Sequence, residues 1–487
     1  MKILIHLYLL RTYIFIFSLL VISGCYSGKK YSYDHIQNEY ADMVCRLSAA
    51  ENSSEKGSCI LDGPITLKEA VQIALANNPD NNMAAARIRK AEAMFSRTDS
   101  LFYPYLGFYT EYSQGDAPSS YLFKTIDQRM FAAGTDFNYP GHYDNFETGV
   151  RAGMNVYNGG RDILQRRIAG NDLDIQRMDR RAVENALVAS VIQSYYNLLA
   201  AQDYIKIATE SVATVSEQLR IMMIRFEGGS VLKSDILSLK VRLAQANEDL
   251  VRSNNQQKIA RAVFANLLGV SVEKDIILRQ ESPSSIPLPN DFSFCVLEAI
   301  KNRPELKKVR KNLEKARMSL DIARSGYLPT VDIQGKYYFD DSDFEYEKDR
   351  ENWMAAIVLN WDIFTGFSTK SNKETASAAL EELLAADRKT LLEVKLDVKT
   401  AYLRLEEAEA RLEVARSSVE MAEESLQLVK KQYDGGSVTI TRYLEAELTR
   451  NSARTRSTAA YYDREKAYSD VGRAVGLFVG NQPEIQF

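Results

Sequence analysis

The chain consists of two copies of one unit. Residues 74–79 (ALANNP) resemble residues 299–304 (AIKNRP), and a second proline follows 25 residues after each motif, at Pro104 and Pro329. A further series of matches has an offset of 207 residues and pairs glycines: Gly159 with Gly366, Gly228-Gly229 with Gly435-Gly436, and Gly269 with Gly476. The prolines have an offset of 225, so the first copy must hold 18 extra residues between Pro104 and Gly159. Any fold of this chain must therefore use one succession of elements twice.

Each copy contains one very long predicted helix. No proline interrupts residues 161–227, where apolar residues recur in steps of three and four and are repeated 207 residues later. These seam positions are Leu198, Ile205, Ala208, Val212, Val215, Leu219, Met222 and Phe226, and Leu405, Leu412, Ala415, Val419, Ala422, Leu426, Val429 and Tyr433. The heptad pattern predicts helices at about 161–227 and 367–434, with Ala-rich helices running back at about 234–268 and 441–475. A helix about 100 Å long cannot bury its seam in a compact bundle, so the pattern favours a coiled-coil-like wall.

Between these helices the apolar period changes to two. Strands are predicted at about 104–114, 145–157, 329–339 and 353–364. One face of the four strands is apolar and consists of Leu106, Phe108, Thr110, Tyr112, Phe146, Thr148, Val150, Ala152, Met154, Val156, Val331, Ile333, Gly335, Tyr337, Trp353, Ala355, Ile357, Leu359, Trp361 and Ile363. The opposite face carries polar residues, namely Glu147, Arg151, Asn155, Asn360 and Asp362. This alternation is typical of a transmembrane β-barrel, although a soluble amphipathic sheet has the same pattern.

Four strands cannot close a barrel by themselves. Open strand edges in hydrocarbon would leave unpaired backbone groups that cost several kcal/mol each. Several chains must therefore share one barrel, and two, three or four copies would supply eight, twelve or sixteen strands. A water-filled lumen disfavours eight strands, whose side chains fill the interior. The strands by themselves do not choose between twelve and sixteen.

The N-terminus has the features of a bacterial export signal. Lys2 and Arg11 flank the start of an apolar run at 12–22, which is too short to cross a bilayer and ends in Ile-Ser-Gly-Cys25. This ending resembles a lipobox, in which Cys25 is acylated, for instance with palmitate. The alternative is a general secretory signal with an incidental cysteine. Ser27 is not the Asp associated with inner-membrane retention, so the outer membrane is the expected destination.

The other three cysteines do not form a metal-binding pattern. Cys45 and Cys59 lie in the polar leader, where a disulfide and two separate thiols are both compatible with an oxidising compartment. Cys295 is predicted to be a buried residue of a helix.

The predicted domain organisation follows from the duplication and the signal. Its segments are a signal peptide at 1–24, a lipidated leader at 25–64, repeat 1 at 65–269, a proline-rich linker at 270–291, repeat 2 at 292–476 and a C-terminal tail at 477–487.

Composition excludes several functional classes. The 61 Lys and Arg residues against 65 Asp and Glu leave a formal charge of −4, so no concentrated cationic face for nucleic acid is expected. Three His and four Cys are too few and too scattered for zinc or haem sites. The glycines at Gly159-Gly160 and Gly366 lack the Lys-Ser/Thr of a phosphate-binding loop. We therefore expect no enzyme, no cofactor and no bound metal.

Taken together, these features resemble the TolC-like outer membrane efflux protein family, particularly its lipidated branch. The duplicated helix–strand–strand–helix unit, the proline-led strands, the Gly-Gly helix tips and the lipobox carry the resemblance over about residues 60–480. The resemblance implies a mixed α and β membrane protein with a β-barrel shared between subunits and a long α-helical barrel crossing the periplasm. It also implies a homotrimer that docks to a periplasmic adaptor protein and an inner-membrane transporter.

The two Gly-Gly turns are the candidate functional sites. By the resemblance, adaptor contact is expected at Gly228, Gly229, Ser230, Val231, Gly435, Gly436, Ser437 and Val438. A tight helical hairpin by itself also explains the glycines, because a glycine just past a helix adopts the left-handed conformation easily.

Next to these turns, the resemblance implies a periplasmic gate. The expected gate residues are Asp235, Tyr433, Arg442 and Glu445. Arg442 departs from the family pattern, which frequently has acidic residues here in both copies. Three-fold symmetry would place opposite charges near one axis, where exposed pairs are worth roughly 0–1 kcal/mol each; the alternative is a set of solvated surface charges.

The expected function is that of a passive conduit for small molecules or metal ions, driven by the pump to which it docks. Export of secreted polypeptide is the second candidate. A lipid-anchored periplasmic coiled-coil tether is the third, and the four alternating strands disfavour it because a tether needs no barrel.

Overall fold

A computed structural model of the chain describes residues 37–38, 40–41, 63–136, 138–229, 231–279, 291–343 and 345–478. The chain divides into two units, Met1–Ile60 and Leu61–Phe487. In the first unit, the described residues Gln37, Asn38, Tyr40 and Ala41 are helical. Several predictions lie outside the described residues: the signal peptide, Cys25, Cys45, Cys59, Ser230, the linker prolines and the tail from residue 479.

The second unit repeats one order of elements, helix–helix–strand–strand–helix–helix. The elements of the first copy are α1 (Leu67–Asn77), α2 (Pro79–Arg97), a 3-10 turn (Thr98–Phe102), β1 (Tyr105–Gly115), α3 (Pro118–Asp127), β2 (Tyr143–Tyr157), α4 (Arg161–Glu227) and α5 (Lys233–Leu267). Those of the second copy are α6 (Phe292–Asn302), α7 (Pro304–Ser325), β3 (Thr330–Asp341), a 3-10 turn (Lys348–Arg350), β4 (Glu351–Asn360), α8 (Ser368–Asp434) and α9 (Ile440–Val475). The second copy has no counterpart of α3 among its described residues, so α3 belongs to the extra residues of the first copy.

The repeated proline motifs begin one helix in each copy and hold the end of another. Pro79 and Pro304 are the first residues of α2 and α7, a position where the missing proline N–H costs nothing. The Asn78 side chain before Pro79 donates a hydrogen bond to the carbonyl of Leu267 (3.0 Å) at the end of α5. In the second copy, Arg303 donates in the same way to the carbonyl of Ala474 (3.1 Å) near the end of α9. The two copies therefore share a contact as well as an order of elements.

The long helices form two hairpins. Helices α4 and α8 each have 67 residues and are about 100 Å long. Helix α4 packs against α5, α8 packs against α9, and α9 also packs against α4. In each long helix four of the predicted seam residues are buried: Leu198, Ala208, Val215 and Met222, and Leu412, Ala422, Val429 and Tyr433. The remaining seam residues are half-buried except for Phe226, which is exposed, so one chain closes its seam only in part.

Three apolar cores lie along the helices. The first joins α1, α4 and α5 around Val191, Leu198 and Phe264. The second joins α6, α8 and α9 and contains Cys295, confirming the prediction that this cysteine is buried in a helix. The third lies at the helix tips and is described below. In the part of the chain that the structure describes, no helix is long and apolar enough to cross a membrane.

The four strands form one antiparallel sheet in the order β1-β2-β3-β4. Its register aligns the apolar face predicted from the sequence across all four strands except at Val156, where a β-bulge puts Tyr157 opposite Val331 instead. Phe108 lies opposite Val150 of β2, Val150 lies opposite Tyr337 of β3, and Tyr337 lies opposite Trp353 of β4. This face is exposed in the single chain: Phe108 is 73% and Trp353 77% accessible. An apolar patch of this kind marks a surface that meets lipid or protein.

The predicted end of the last strand is wrong. The alternation in the sequence continues to residue 364, but β4 ends at Asn360. Asn360 pairs with Thr330, the first residue of β3, and no partner strand extends beyond it because Pro329 precedes β3 and lacks the N–H that a ladder needs. Trp361 instead donates its indole N–H to the carbonyl of Tyr327 (3.1 Å).

Candidate functional site at the helix tips

Both helical hairpins turn at a glycine with a positive φ. Gly229 has φ of +71° and Gly436 has φ of +74°, a conformation that glycine adopts without the steric cost of a Cβ atom. At the second tip, Gly436 N–H donates to the carbonyl of Tyr433 (3.0 Å) and Ser437 N–H donates to that of Gln432 (2.8 Å). These bonds satisfy carbonyls that a helix end would otherwise leave unpaired. The glycines therefore have a structural role at both turns.

The predicted contact residues at the tips differ in accessibility. Gly228, Gly229, Gly435, Gly436 and Ser437 are exposed. The side chains of Val231 and Val438 are partly buried against the apolar core below the turns. Each tip thus presents mainly backbone to its surroundings, with a valine holding the turn onto the core.

In the tip core, stacked aromatic rings join α8 to α9, and a hydrogen bond to sulfur joins α8 to α4 of the other hairpin. The rings of Tyr433 and Tyr443 lie 5.5 Å apart at an interplanar angle of 28°. The Tyr433 hydroxyl donates to the sulfur of Met222 (3.0 Å) on α4, and the Arg225 guanidinium lies 5.8 Å from the Tyr433 ring centroid. Burial raises the pKa of Tyr433. Tyr433, a predicted gate residue, is thus buried within one chain and fastens α8 to α4.

The charged residues predicted for the gate do not all meet within one chain. Arg442 pairs with Glu445 at 3.4 Å, one turn along α9, and both side chains are about three-fifths exposed. Asp235 accepts a long hydrogen bond (3.4 Å) from the backbone N–H of Leu232 and so caps the start of α5. Among the described residues, no ion pair joins Asp235 to Arg442. An attraction between them must come from different chains of an assembly.

Glu447 is a buried charge that sequence reasoning missed. Its side chain is 0% exposed. Burial raises the pKa of Glu447, and the positive charges of Arg242 on α5 and Arg450 on α9, together with the Asn451 side chain, oppose that shift. The sequence does contain a signal for this burial. Ile440, Tyr443 and Glu447 are spaced by three and then four residues, as on the buried face of a helix.

A polar stretch follows Glu447 along the same face of α9. Asn451 donates to the hydroxyl of Ser211 (3.1 Å) on α4. One turn further, Arg454 binds Glu210 of α4 (3.0 Å) and Glu423 of α8 (2.7 Å). Above the aromatic tip core, α9 is therefore held to its neighbours by polar contacts instead of apolar ones.

Comparison with known proteins identifies proteins to which this chain is similar. Residues 70–270 and 296–477 match the profile of a family described as outer membrane efflux protein. The chain is 22% identical over 421 residues to the pyoverdine export outer membrane protein OpmQ of Pseudomonas putida, a match that covers 84% of this chain and 85% of that protein. It is 25% identical over 276 residues to the probable outer membrane lipoprotein SilC of Salmonella typhimurium, covering 53% and 52% of the two chains. A solved structure of CusC has a TM-score of 0.74 at 19% identity and covers 87% of this chain and 95% of that one.

Proposed function

Because the chain belongs to the outer membrane efflux protein family, we propose that it is the outer membrane channel of a tripartite efflux system. It acts as a passive conduit, and the transporter to which it is coupled supplies the energy. Proteins of this family are channels and not enzymes. OpmQ is named for pyoverdine export, which supports a small molecule as the exported cargo. SilC is named as a probable lipoprotein of the outer membrane.

The observation that carries this function is the two-faced sheet. Its apolar face is exposed in the single chain, with Leu106, Phe108, Trp353 and Ile357 each about three-quarters accessible. Exposure to water costs each of these side chains about 1.5–3 kcal/mol of hydrophobic free energy relative to burial. Contact with lipid acyl chains removes that cost. The opposite face carries ion pairs such as Lys336–Glu147 (2.8 Å), which require a wet or polar surrounding.

The sheet edges require further copies of the chain. Strands β1 and β4 each pair on one side only, and an open edge cannot stay in hydrocarbon. Three chains pool twelve strands into one barrel with a wet lumen, and we infer a homotrimer. The long hairpins then extend from this barrel into the periplasm.

The tips are the proposed docking site for the periplasmic adaptor, which links the channel to the inner-membrane transporter. The exposed backbone of both Gly-Gly turns supports this role. We place the gate directly beside this docking site, with Asp235, Arg442 and Glu445 facing their copies across the three-fold axis. Tyr433 packs against α9, the helix that carries Arg442 and Glu445. The exposure of the Arg442 and Glu445 side chains supports this placement.

Acylation of Cys25 is the proposed anchor to the inner leaflet of the outer membrane. The lipobox-like Ile-Ser-Gly-Cys sequence supports it, as does the lipoprotein name of SilC. A Cys25→Ser variant is expected to lose incorporation of labelled palmitate.

The test of the proposed function is the state of the full chain in outer-membrane fractions. We expect a detergent-resistant trimer that migrates more slowly before heating than the monomer that heating releases, that cross-links as three copies, and that conducts ions in planar bilayers. A closed pore formed by a single polypeptide would contradict the proposal. So would a soluble monomer or dimer released by removal of the lipid, which is the result expected of a tether.

A further inference from the structure

Helix α3 is amphipathic, but its polar side faces the sheet and its apolar side is exposed. A helix on the surface of a soluble protein has the opposite arrangement. The sheet-facing stripe of α3 is polar and consists of Tyr121, Lys124, Thr125 and Gln128, all half-buried or buried. Its opposite stripe is apolar and exposed: Phe123 is 64%, Ile126 42% and Met130, just past the helix, 48% accessible. A connection that only had to join two strands in water would place these side chains the other way round.

Polar contacts hold α3 across the polar face of the sheet. The Lys124 ammonium lies 3.2 Å from Glu147 of β2 and 2.9 Å from Asp340 of β3. Gln128 donates to the side chain of Asn145 (2.8 Å). Gln128, Asn145 and Asp340 are each at most 2% exposed, so α3 is held to the sheet by buried side chains and not by surface contacts.

The C-terminal end of α3 reaches the last strand. Asn352 of β4 donates to the carbonyl of Asp127 (3.3 Å), and Arg129 donates to the side chain of Asn352 (3.3 Å). The strand register places these anchors on the polar face, opposite to the face that carries Phe108. The helix therefore crosses β2, β3 and β4 on one side of the sheet.

The position along the sheet is fixed by the chain order. Helix α3 joins the end of β1 to the start of β2, whereas the other ends of the strands continue into the helical hairpins. With the hairpins in the periplasm, α3 lies at the outer mouth of the barrel.

We propose that α3 is an outer gate that narrows the exit of the channel with apolar side chains. This inference rests on the proposed trimeric channel. Closing the sheet into a barrel turns its polar face, and α3 with it, toward the lumen. The apolar stripe of each α3 then points at the stripes of the two sister copies across the axis.

The dimensions of the barrel support a constriction. Strands about 4.8 Å apart and tilted by about 40° give a twelve-stranded barrel a backbone diameter of about 24 Å. A helix with its side chains is about 10 Å across, so three of them occupy much of that lumen. A narrow apolar passage excludes water and hydrated ions. The outer gate thus resists entry of polar solutes and yields to cargo driven from the periplasmic side.

The first test is proximity across the axis. In the full chain, an Ile126→Cys variant treated in membranes with a bis-maleimide about 10 Å long is expected to give cross-linked dimers above the level of the unsubstituted chain, because sister stripes must meet across a lumen of this size and each introduced thiol reacts with one maleimide. The matched control is Phe108→Cys, which lies on the apolar face and faces outward in the same barrel. Absence of additional cross-links at position 126 in a protein that still forms trimers overturns the outer gate and leaves the proposed function standing.

The second test is conductance. The double variant Phe123→Ser/Ile126→Ser is expected to raise single-channel conductance about twofold, because its constriction stays wet. A Tyr139→Ser variant, exposed in the same connection but outside α3, is expected to conduct like the unsubstituted chain. Unchanged conductance of the double variant overturns the gate. Failure of the unsubstituted chain to form a trimeric channel overturns the gate together with the function on which it rests.

Discussion

At the residue scale, Glu447 shows how one buried charge ties stability to pH. It sits between the apolar tip core and the polar stretch of α9, where Arg242 of α5 and Arg450 of α9 are the charged groups acting on it. Tyr443 and Asn451 of α9 are the neutral polar groups that interact with it. Desolvation of its charged form is the dominant effect, so the pKa is raised in the folded protein. A carboxylate of this kind lowers stability when ionised and leaves it unaffected when protonated.

This burial predicts a pH-dependent effect of Glu447→Gln. Below the unfolded pKa of a Glu, about 4.3, the side chain is protonated in both states and the substitution changes little. As the pH rises through the raised folded pKa, the native chain loses stability that the variant keeps. Thermal unfolding followed by circular dichroism is expected to show a melting temperature about 2 °C higher for the variant near pH 8.

The matched control for that measurement is Glu445→Gln. Glu445 is 60% exposed, so its substitution is expected to leave the melting temperature unchanged at either pH. Equal stabilisation of both variants, or a Glu447→Gln effect that is independent of pH, would show that Glu447 is solvated in the assembled protein.

Arg442 and Asp235 predict a second effect at the residue scale, on conductance. In one chain Arg442 pairs with Glu445, and in the proposed gate Arg442 attracts Asp235 of another chain in the closed state. Substituting Arg442 by Ala, alone and together with Asp235→Ala, is expected to raise single-channel conductance in planar bilayers. The single variant is informative because it preserves the cap that Asp235 gives to α5. Unchanged conductance in both variants would refute the gate assignment.

At the element scale, the strands predict a sharp difference between neighbouring positions. Ile357 lies on the apolar face and is 75% exposed in one chain, whereas the adjacent Ala356 lies on the polar face opposite Gln334. A lysine on the lipid face costs about 2–4 kcal/mol near the middle of the membrane. Ile357→Lys is therefore expected to reduce the amount of heat-modifiable trimer in outer membranes.

Ala356→Lys serves as the counterpart, since the same charge then meets the wet lumen. We expect this variant to assemble at the level of the unsubstituted chain. Similar losses in both variants would mean that the two faces do not differ in their surroundings, and a soluble sheet would then be the better description.

The long helices and α3 differ in how well the sequence predicts them. The 67-residue helices were predictable to within one residue because their repeated three–four steps and flanking glycines are local signals. Helix α3 was not predicted, although the offset between the copies placed 18 extra residues in its region. A helix of ten residues carries too few turns for its period to stand out, and its reversed polarity argues against a surface helix.

At the scale of the whole molecule, the two copies have the same order of elements but pack against each other. The core around Val191 and Phe264 in the first copy includes Tyr462 and Phe478 from the end of the second. Helix α9 packs against α4 as well as against its own partner α8. The first copy therefore shares its apolar core with the end of the second, whereas the core around Cys295 lies within the second copy.

This sharing predicts that repeat 1 with the start of the linker, residues 65–279, does not fold by itself. Without Tyr462 and α9, the seam of α4 stays open and the fragment is expected to lack a cooperative thermal transition. Co-expression with residues 291–478 is expected to restore a protease-resistant complex, measured by limited proteolysis and gel filtration. A fragment that melts cooperatively by itself would contradict the shared core.

The sequence by itself determined the duplication, the long helices, the four strands and the two faces of the sheet, because each of these is written as a local period repeated at a fixed offset. Only the tertiary structure decided that Tyr433 is buried between two hairpins, that Glu447 is buried near Arg242 of α5, that β4 ends where β3 begins, and that α3 lies across the polar face. Those outcomes depend on contacts between segments far apart in the chain. The burial of a side chain there is set by its distant partners and not by its neighbours in sequence.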